Sequence, residues 1–125
     1  MGVRILLVED HVVMREGLRG LISQQADMEV VGEAGDGNEA VELARRLKPD
    51  IIIMDVRMQG MDGVEATQRI KAFEGTNRIP VIALTANAMR GDRERFIAAG
   101  CDDYLPKPIS TTDLLNLIGE HLHET

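Results

Sequence analysis

The chain reads as an α/β protein: a parallel sheet covered by helices on both faces, a three-layer (βα)5 sandwich. Three observations point there. Short apolar runs alternate with longer amphipathic segments, five times over. The apolar runs have no polar face, as strands buried on both sides require. No internal repeat, low-complexity tract or linker interrupts the alternation, so the 125 residues are expected to form one domain, residues 1–125. The crossovers between strands should be right-handed.

The elements follow in order. Ile5 to Val8 is a buried-strand run bounded by charges. From His11 to about Gln25, Met14, Leu18, Leu21 and Ile22 recur at helical spacing. Glu29 to Val31 is a second short strand. Asn38 to Leu47 is helical, with Ala40, Leu43, Ala44 and Leu47 on one face, and Pro49 stops it. Ile51 to Met54 is the third strand. Gly63 to Phe73 is helical and leads into the polar turn Glu74-Gly75-Thr76-Asn77. Val81 to Leu84 is the fourth strand, Ala88 to Ala99 a helix ending at Gly100, and Asp103 to Leu105 the fifth strand. Ser110 caps a last helix carrying Leu114, Leu117, Ile118 and Leu122. With the fifth helix the chain ends, so no output domain is expected within this sequence.

Composition narrows the function. Hydrophobic residues make up 44% and charged residues 28%, the balance of a globular chain. Fourteen basic against 21 acidic residues leave a net charge of −7, which argues against direct nucleic-acid binding. Aromatic content of 2% provides no stacking platform for bases. No apolar run approaches membrane-spanning length, and Met1-Gly2-Val3-Arg4 is too short for a signal peptide. The single cysteine, Cys101, excludes an internal disulfide and fits a reducing, cytoplasmic setting. It reads as a small buried residue more than as a reactive thiol.

The informative feature is where polar residues fall. Glu9 and Asp10 follow the first strand, Asp55 the third, Thr85 the fourth and Lys107 the fifth. In open α/β sheets, ligands bind at the carboxyl ends of the strands. Carboxylates gathered there repel one another unless a cation intervenes. Mg²⁺ suits a few carboxylates, a backbone carbonyl and water, whereas Zn²⁺ would want a His or Cys cluster that the chain lacks. Lys107 can pair with a carboxylate and then with phosphate oxygens, and the Thr85 hydroxyl can donate to phosphate. Phosphoryl transfer needs mainly this positioning and charge neutralisation, and a carboxylate can be the attacking group.

Five segments carry a resemblance to a known family: Ile5-Leu6-Leu7-Val8-Glu9-Asp10, Ile53-Met54-Asp55-Val56-Arg57-Met58, Met61-Asp62-Gly63, Ala83-Leu84-Thr85-Ala86 and Asp103-Tyr104-Leu105-Pro106-Lys107-Pro108. Each is weak alone; their order and spacing together are specific. The chain resembles the receiver domain of bacterial two-component response regulators, chemotaxis-regulator-like, over essentially its whole length. The resemblance implies a flavodoxin-like fold of strand order 2-1-3-4-5. It implies that Asp55 accepts a phosphoryl group from a histidine kinase or a histidine phosphotransfer protein. Mg²⁺, with Mn²⁺ as a substitute, is then held by Glu9, Asp10, Asp55 and the backbone carbonyl of Arg57. Lys107 contacts the phosphoryl group, and Thr85 and Tyr104 form a switch pair. The Lys107-Pro108 peptide bond is cis in such domains. The face of the fourth helix, fifth strand and fifth helix meets an output domain or protein, or a second copy in a homodimer. Such a domain catalyses only its own phosphorylation and dephosphorylation.

Some positions depart from or qualify this pattern. Gln59 stands where many receivers have Pro, and Arg57 and Asn87 occupy variable positions that tune phosphoryl lifetime. Met1 to Met58 resembles receivers that precede helix-turn-helix domains, and Ile79 to Leu117 resembles those of hybrid histidine kinases, which leaves partner and output open. Thr85 has an alternative reading as a loop hydrogen bond, and Tyr104 as a rim aromatic. Asp62 reads as shaping its loop. Met54, Met58 and Met61 read as packing, His11 as starting the first helix near the metal without binding it, and His121 and His123 as solvated at a frayed end. A haloacid-dehalogenase-type phosphatase would want a second Asp where Arg57 stands. A flavodoxin-type cofactor carrier would want a phosphate cradle where Glu9-Asp10 stands. A degenerate receiver, working purely as an interaction domain, would lack site residues that this chain has.

Overall fold

A computed structural model describes residues 2–56, 63–85, 90–107 and 109–122, with backbone alone at 90–93 and 122. Strands and helices alternate throughout: β1 (Val3–Val8), α1 (Val12–Ser23), β2 (Met28–Ala34), α2 (Gly37–Leu47), β3 (Ile51–Asp55), α3 (Gly63–Ala72), β4 (Val81–Thr85), α4 (Arg90–Ala98), β5 (Asp103–Pro106) and α5 (Thr111–Leu122). The sheet order is β2-β1-β3-β4-β5 and every neighbouring pair is parallel. This is the flavodoxin-like order. The chain winds outward from β1 to β2, then reverses to β3 on the other side of β1. The reversal opens a crevice at the carboxyl ends of β1 and β3.

The strand residues alternate between two cores, as a period of two demands. Leu6, Val8, Ile52, Met54, Val81 and Ala83 face Ala40 and Ala44 of α2, Ile70 of α3 and Phe96 of α4. Ile5, Leu7, Ile51, Ile53, Ile82 and Leu84 face Leu18 and Ile22 of α1 and Leu114 and Ile118 of α5. Every β3 and β4 residue is buried, so neither strand could spare a polar face. Each fully buried Leu or Ile contributes about 1.5–3 kcal/mol.

The termini have local causes. Asp36 accepts the Glu39 amide at 2.8 Å, and Glu39 Oε1 accepts the Gly35 amide at 2.8 Å, a reciprocal cap that starts α2. Lys48 ends α2 in the left-handed region, φ 47°, because Pro49 disfavours a helical residue before it. Gly100, φ 108°, ends the α4 segment as expected of a C-cap glycine. Ser110 Oγ accepts the Asp113 amide at 3.3 Å and caps α5.

Several strand boundaries differ from expectation. β2 runs from Met28 to Ala34, beyond Glu29–Val31, because its pairing with β1 continues through a register shift at Ile5/Leu6. Val31 is the extra residue there, and Gly32 follows it. A Cβ at Gly32 would lie 2.6 Å from Leu47 Cδ1. Glycine there admits α2, and its weak strand propensity hid the strand. Asp55 and Thr85 are the last residues of β3 and β4, not the first beyond them. The α4 helix is described from Arg90; Ala88 lies outside the described residues.

Candidate metal and acceptor site

Pairing fixes the site before any side chain does. Val8 of β1 pairs with Met54 of β3, so the next residues, Glu9 and Asp55, emerge side by side. The Glu9 amide donates to Ala34 O at 3.0 Å and the Lys107 amide to Thr85 O at 2.7 Å, which ties both loops to strand ends. Glu9 is fully buried and Asp55 is 2% exposed. Glu9, Asp10, His11 and Asp55 each bring a potential ligand atom within 4.8 Å of the others.

Lys107 Nζ reaches this cluster from the far side, 3.4 Å from Glu9 Oε1 and 3.4 Å from Asp55 Oδ1. His11 N-caps α1, as its position suggested, and its ring does more. The His11 amide donates to Glu9 Oε2 at 3.2 Å, and Nδ1 lies 3.3 Å from that oxygen and 3.2 Å from Asp10 Oδ1. Burial would raise the Glu9 pKa. The His11 amide, the Lys107 ammonium, the Asp55 side chain and the His11 ring together outweigh it and hold Glu9 below the usual carboxylate range.

Asp10 Oδ1 tests whether a cation fits. It is buried, and its contact with His11 Nδ1 lacks hydrogen-bond geometry, so it has no hydrogen-bond partner among the described residues. A buried carboxylate oxygen without a donor is costly. Beside it stand two more carboxylates, an oxygen-rich set that a hard divalent cation would satisfy. The residues present fit Mg²⁺.

Thr85 ends β4, buried, and Pro106 pairs with it in register. Tyr104 pairs with Ala83, two residues earlier on the same face, so Tyr104 and Thr85 are diagonal neighbours. Tyr104 is half-buried against the core that contains Phe96. Arg57, whose carbonyl was an expected ligand, lies outside the described residues, as do Met58, Gln59, Met61, Asp62, Ala86, Asn87, Pro108 and His123.

Two findings lay beyond the sequence reading. His121 is not solvated: its Nε2 lies 3.3 Å from Asp103 Oδ2, because the last turn of α5 packs over β5. Arg15 reaches from α1 to donate to the Glu9 carbonyl at 2.9 Å. The only sequence signal for it was a cation one turn after His11.

Similarity to known proteins decides the family. The response regulator receiver domain model matches residues 5–119. The chain belongs to the response regulator receiver family. It is 41% identical over 118 residues to the response regulator protein VraR of Staphylococcus aureus, covering 94% of this chain and 56% of that protein. The receiver thus spans about half the length of the curated relatives it matches. The receiver domain of the sensor histidine kinase PA1611 from Pseudomonas aeruginosa superimposes with a TM-score of 0.90 at 39% identity, over 99% of this chain and 100% of that one. That structure has a magnesium ion coordinated in its active-site cleft. The response regulator domain of Thermotoga maritima CheB gives a TM-score of 0.89 at 34% identity, over 100% and 99% of the two chains. Both a response regulator and a histidine-kinase receiver stand among the matches. This receiver is a component of two-component signal transduction. No helix among its described residues is long and apolar enough to cross a membrane.

Proposed function

We propose that residues 1–125 work as one phosphoacceptor domain in which Asp55 takes a phosphoryl group from a phosphohistidine donor, a histidine kinase or a histidine phosphotransfer protein. The observation that carries this is the seating of Asp55: buried at the end of β3, 3.4 Å from Lys107, inside the carboxylate cluster. An Asp55 oxygen forms the new P–O bond as the donor's P–N bond breaks, giving an aspartyl phosphate. Lys107 exchanges its carboxylate contacts for phosphoryl oxygens, and the Thr85 hydroxyl donates to another. Glu9, Asp10, Asp55 and the Arg57 carbonyl would hold Mg²⁺ or Mn²⁺. Bound there, the cation supplies charge neutralisation on the transferring group.

The recruitment of Thr85 frees space for its diagonal neighbour Tyr104 to turn inward, which biases two states of the α4-β5-α5 face. That face serves an output domain, a separate protein or a second copy. The domain acts in the cytoplasm on no substrate but its own acyl phosphate, and contacts neither nucleic acid nor membrane.

Incubation with acetyl phosphate and Mg²⁺, followed by intact-mass measurement, tests the reading. Wild type gains one phosphoryl group and Asp55→Ala gains none; a wild type that never gains mass sinks it. In the same samples Thr85→Ala accepts the group but loses the change in amide exchange on α5. An unchanged exchange response would remove Thr85 from the switch.

A further inference from the structure

Arg15 joins three segments around the site. From α1, its Nη1 donates to the backbone carbonyl of Glu9 at 2.9 Å. Its Nε lies 3.3 Å from Glu33 Oε1 on β2. Nη1 also lies beside Gly35, 3.4 Å from where a Cβ would stand. Glu33 is itself gripped twice, since Arg19 Nη1 lies 3.4 Å from its Oε2. The Arg15 and Glu33 side chains are only 23% and 30% exposed, so this pair is screened less than a surface pair.

The Glu9 carbonyl is a point of leverage on the site. Glu9 and Asp10 lie where the chain leaves β1, and the Glu9 amide is already committed to Ala34 O. Beyond that bond, the direction of the Glu9 carbonyl fixes ψ of Glu9, and with it the path on which the chain carries Asp10 away from β1. Arg15 pins that carbonyl, and Glu33 pins Arg15. The guanidinium suits this task because its planar fork can serve a carbonyl and a carboxylate at once in a fixed geometry, which a point-like ammonium does not offer.

We propose that Arg15, oriented by Glu33, is a positioning residue that sets the Glu9–Asp10 peptide for cation binding. This rests on the reading of Glu9 and Asp10 as metal ligands. The charge of Arg15 by itself would repel a cation, but Glu33 at 3.3 Å offsets part of that field. Placement of the peptide therefore outweighs repulsion, and removing the guanidinium weakens cation binding. Groups that orient metal ligands are worth about 10–100-fold in affinity.

The test is Mg²⁺ binding alone, with no phosphoryl donor, followed by amide NMR shifts of the full chain. Wild type, Arg15→Met, Arg15→Lys and Glu33→Gln are titrated, and the melting temperature of each is taken without metal. Arg15→Met keeps the apolar stem and should lose about tenfold in Mg²⁺ affinity. Glu33→Gln, which leaves the Arg15 charge uncancelled, should lose less but in the same direction. Arg15→Lys should fall between wild type and Arg15→Met. A purely structural role would lower melting temperature while leaving the Mg²⁺ affinity of the folded protein unchanged. Affinity within about twofold of wild type in the folded variants overturns the proposal, and if Arg15→Met does not fold, the other two variants decide. A wild type that binds no Mg²⁺ overturns the metal-site reading itself, whereas wild-type binding with unmoved variants overturns only the role of Arg15.

Discussion

Glycine-to-alanine changes should split in sign according to what the added methyl meets. Gly63 opens α3 directly against the acceptor strand. Its amide donates to Val56 O at 3.0 Å, and a Cβ there would lie 2.5 Å from Asp55 O and 2.6 Å from Val56 Cα. Both obstructing atoms are backbone, so no rotamer change relieves the clash; the start of α3 or the end of β3 must move. Overpacking of this kind costs about 1–3 kcal/mol. In a chain of this size each kcal/mol lowers the melting temperature by about 3–6 °C, so Gly63→Ala should melt about 5–10 °C below wild type. At Gly17 and Gly20 in α1 and Gly119 in α5, an added methyl would meet nothing within 4 Å. Alanine there should add about 0.5–1 kcal/mol each by helix propensity. Thermal unfolding by circular dichroism reads all four. Gly63→Ala should also accept phosphoryl groups more slowly from acetyl phosphate, because the displaced peptide is that of Asp55, while the other three should not. A Gly63→Ala protein that melts within about 2 °C of wild type would show that α3 does not press on the acceptor strand.

Two further outcomes follow from charge and burial. Lys107→Met leaves Glu9 and Asp55 buried without their shared cation. The folded pKa of Glu9 lies below its ordinary value of 4.5, so it contributes stability that is present above that pH and lost as pH falls through the folded value. Part of this comes from Lys107, so the variant should be less stable than wild type at neutral pH, with the gap closing on acidification. Melting curves from pH 7 downward read it, and a gap independent of pH would refute the attribution. Burial pushes the Cys101 thiol above 9.0 despite its 3.7 Å contact with Thr67 Oγ1. Its contribution to stability is thus present below pH 9.0 and lost as pH rises through the raised folded value. At pH 8 alkylation should be slow and should accelerate only with unfolding in urea; labelling of the native protein at the rate of a free thiol would contradict this.

Sequence and structure agree where a single local rule governs. The β3 and β4 runs are apolar at every position before their last, so burial on both sides was legible from composition alone. The convergence of Glu9, Asp10, Asp55 and Lys107 was legible because they lie at strand ends, and parallel topology brings strand ends together. Agreement fails where a tertiary contact overrides local preference. The second strand read as Glu29 to Val31, but it continues through Gly32, a strand residue kept small by Leu47. His121 read as a frayed end, but α5 carries it back to Asp103. Arg15 showed nothing beyond its place one turn after His11, because its partners, Glu9 and Glu33, are 6 and 18 positions away and only the β1-β2 pairing assembles them.

The same pairing also explains why this edge is built against stability. With Val8 opposite Met54, the register obliges whatever follows each strand to meet its counterpart across the crevice. Apolar residues there would extend the core. Instead the chain places a fully buried glutamate beside an aspartate that is 2% exposed. Isolated carboxylates in such a place would take up protons or disrupt the pairing. Here Lys107 compensates both, His11 engages Glu9, and one oxygen of Asp10 keeps no hydrogen-bond partner among the described residues. One ammonium cannot balance three carboxylates, so the site remains short of positive charge. A divalent cation would meet that deficit, and under the proposed phosphoryl transfer the ammonium and the Thr85 hydroxyl would turn to the new oxygens. A local violation of packing logic inside an otherwise consistent sheet is what a functional site looks like energetically. The conflict among Glu9, Asp10 and Asp55 is what the proposed cation would relieve, and Lys107, 3.4 Å from Glu9 Oε1 and from Asp55 Oδ1, already relieves part of it.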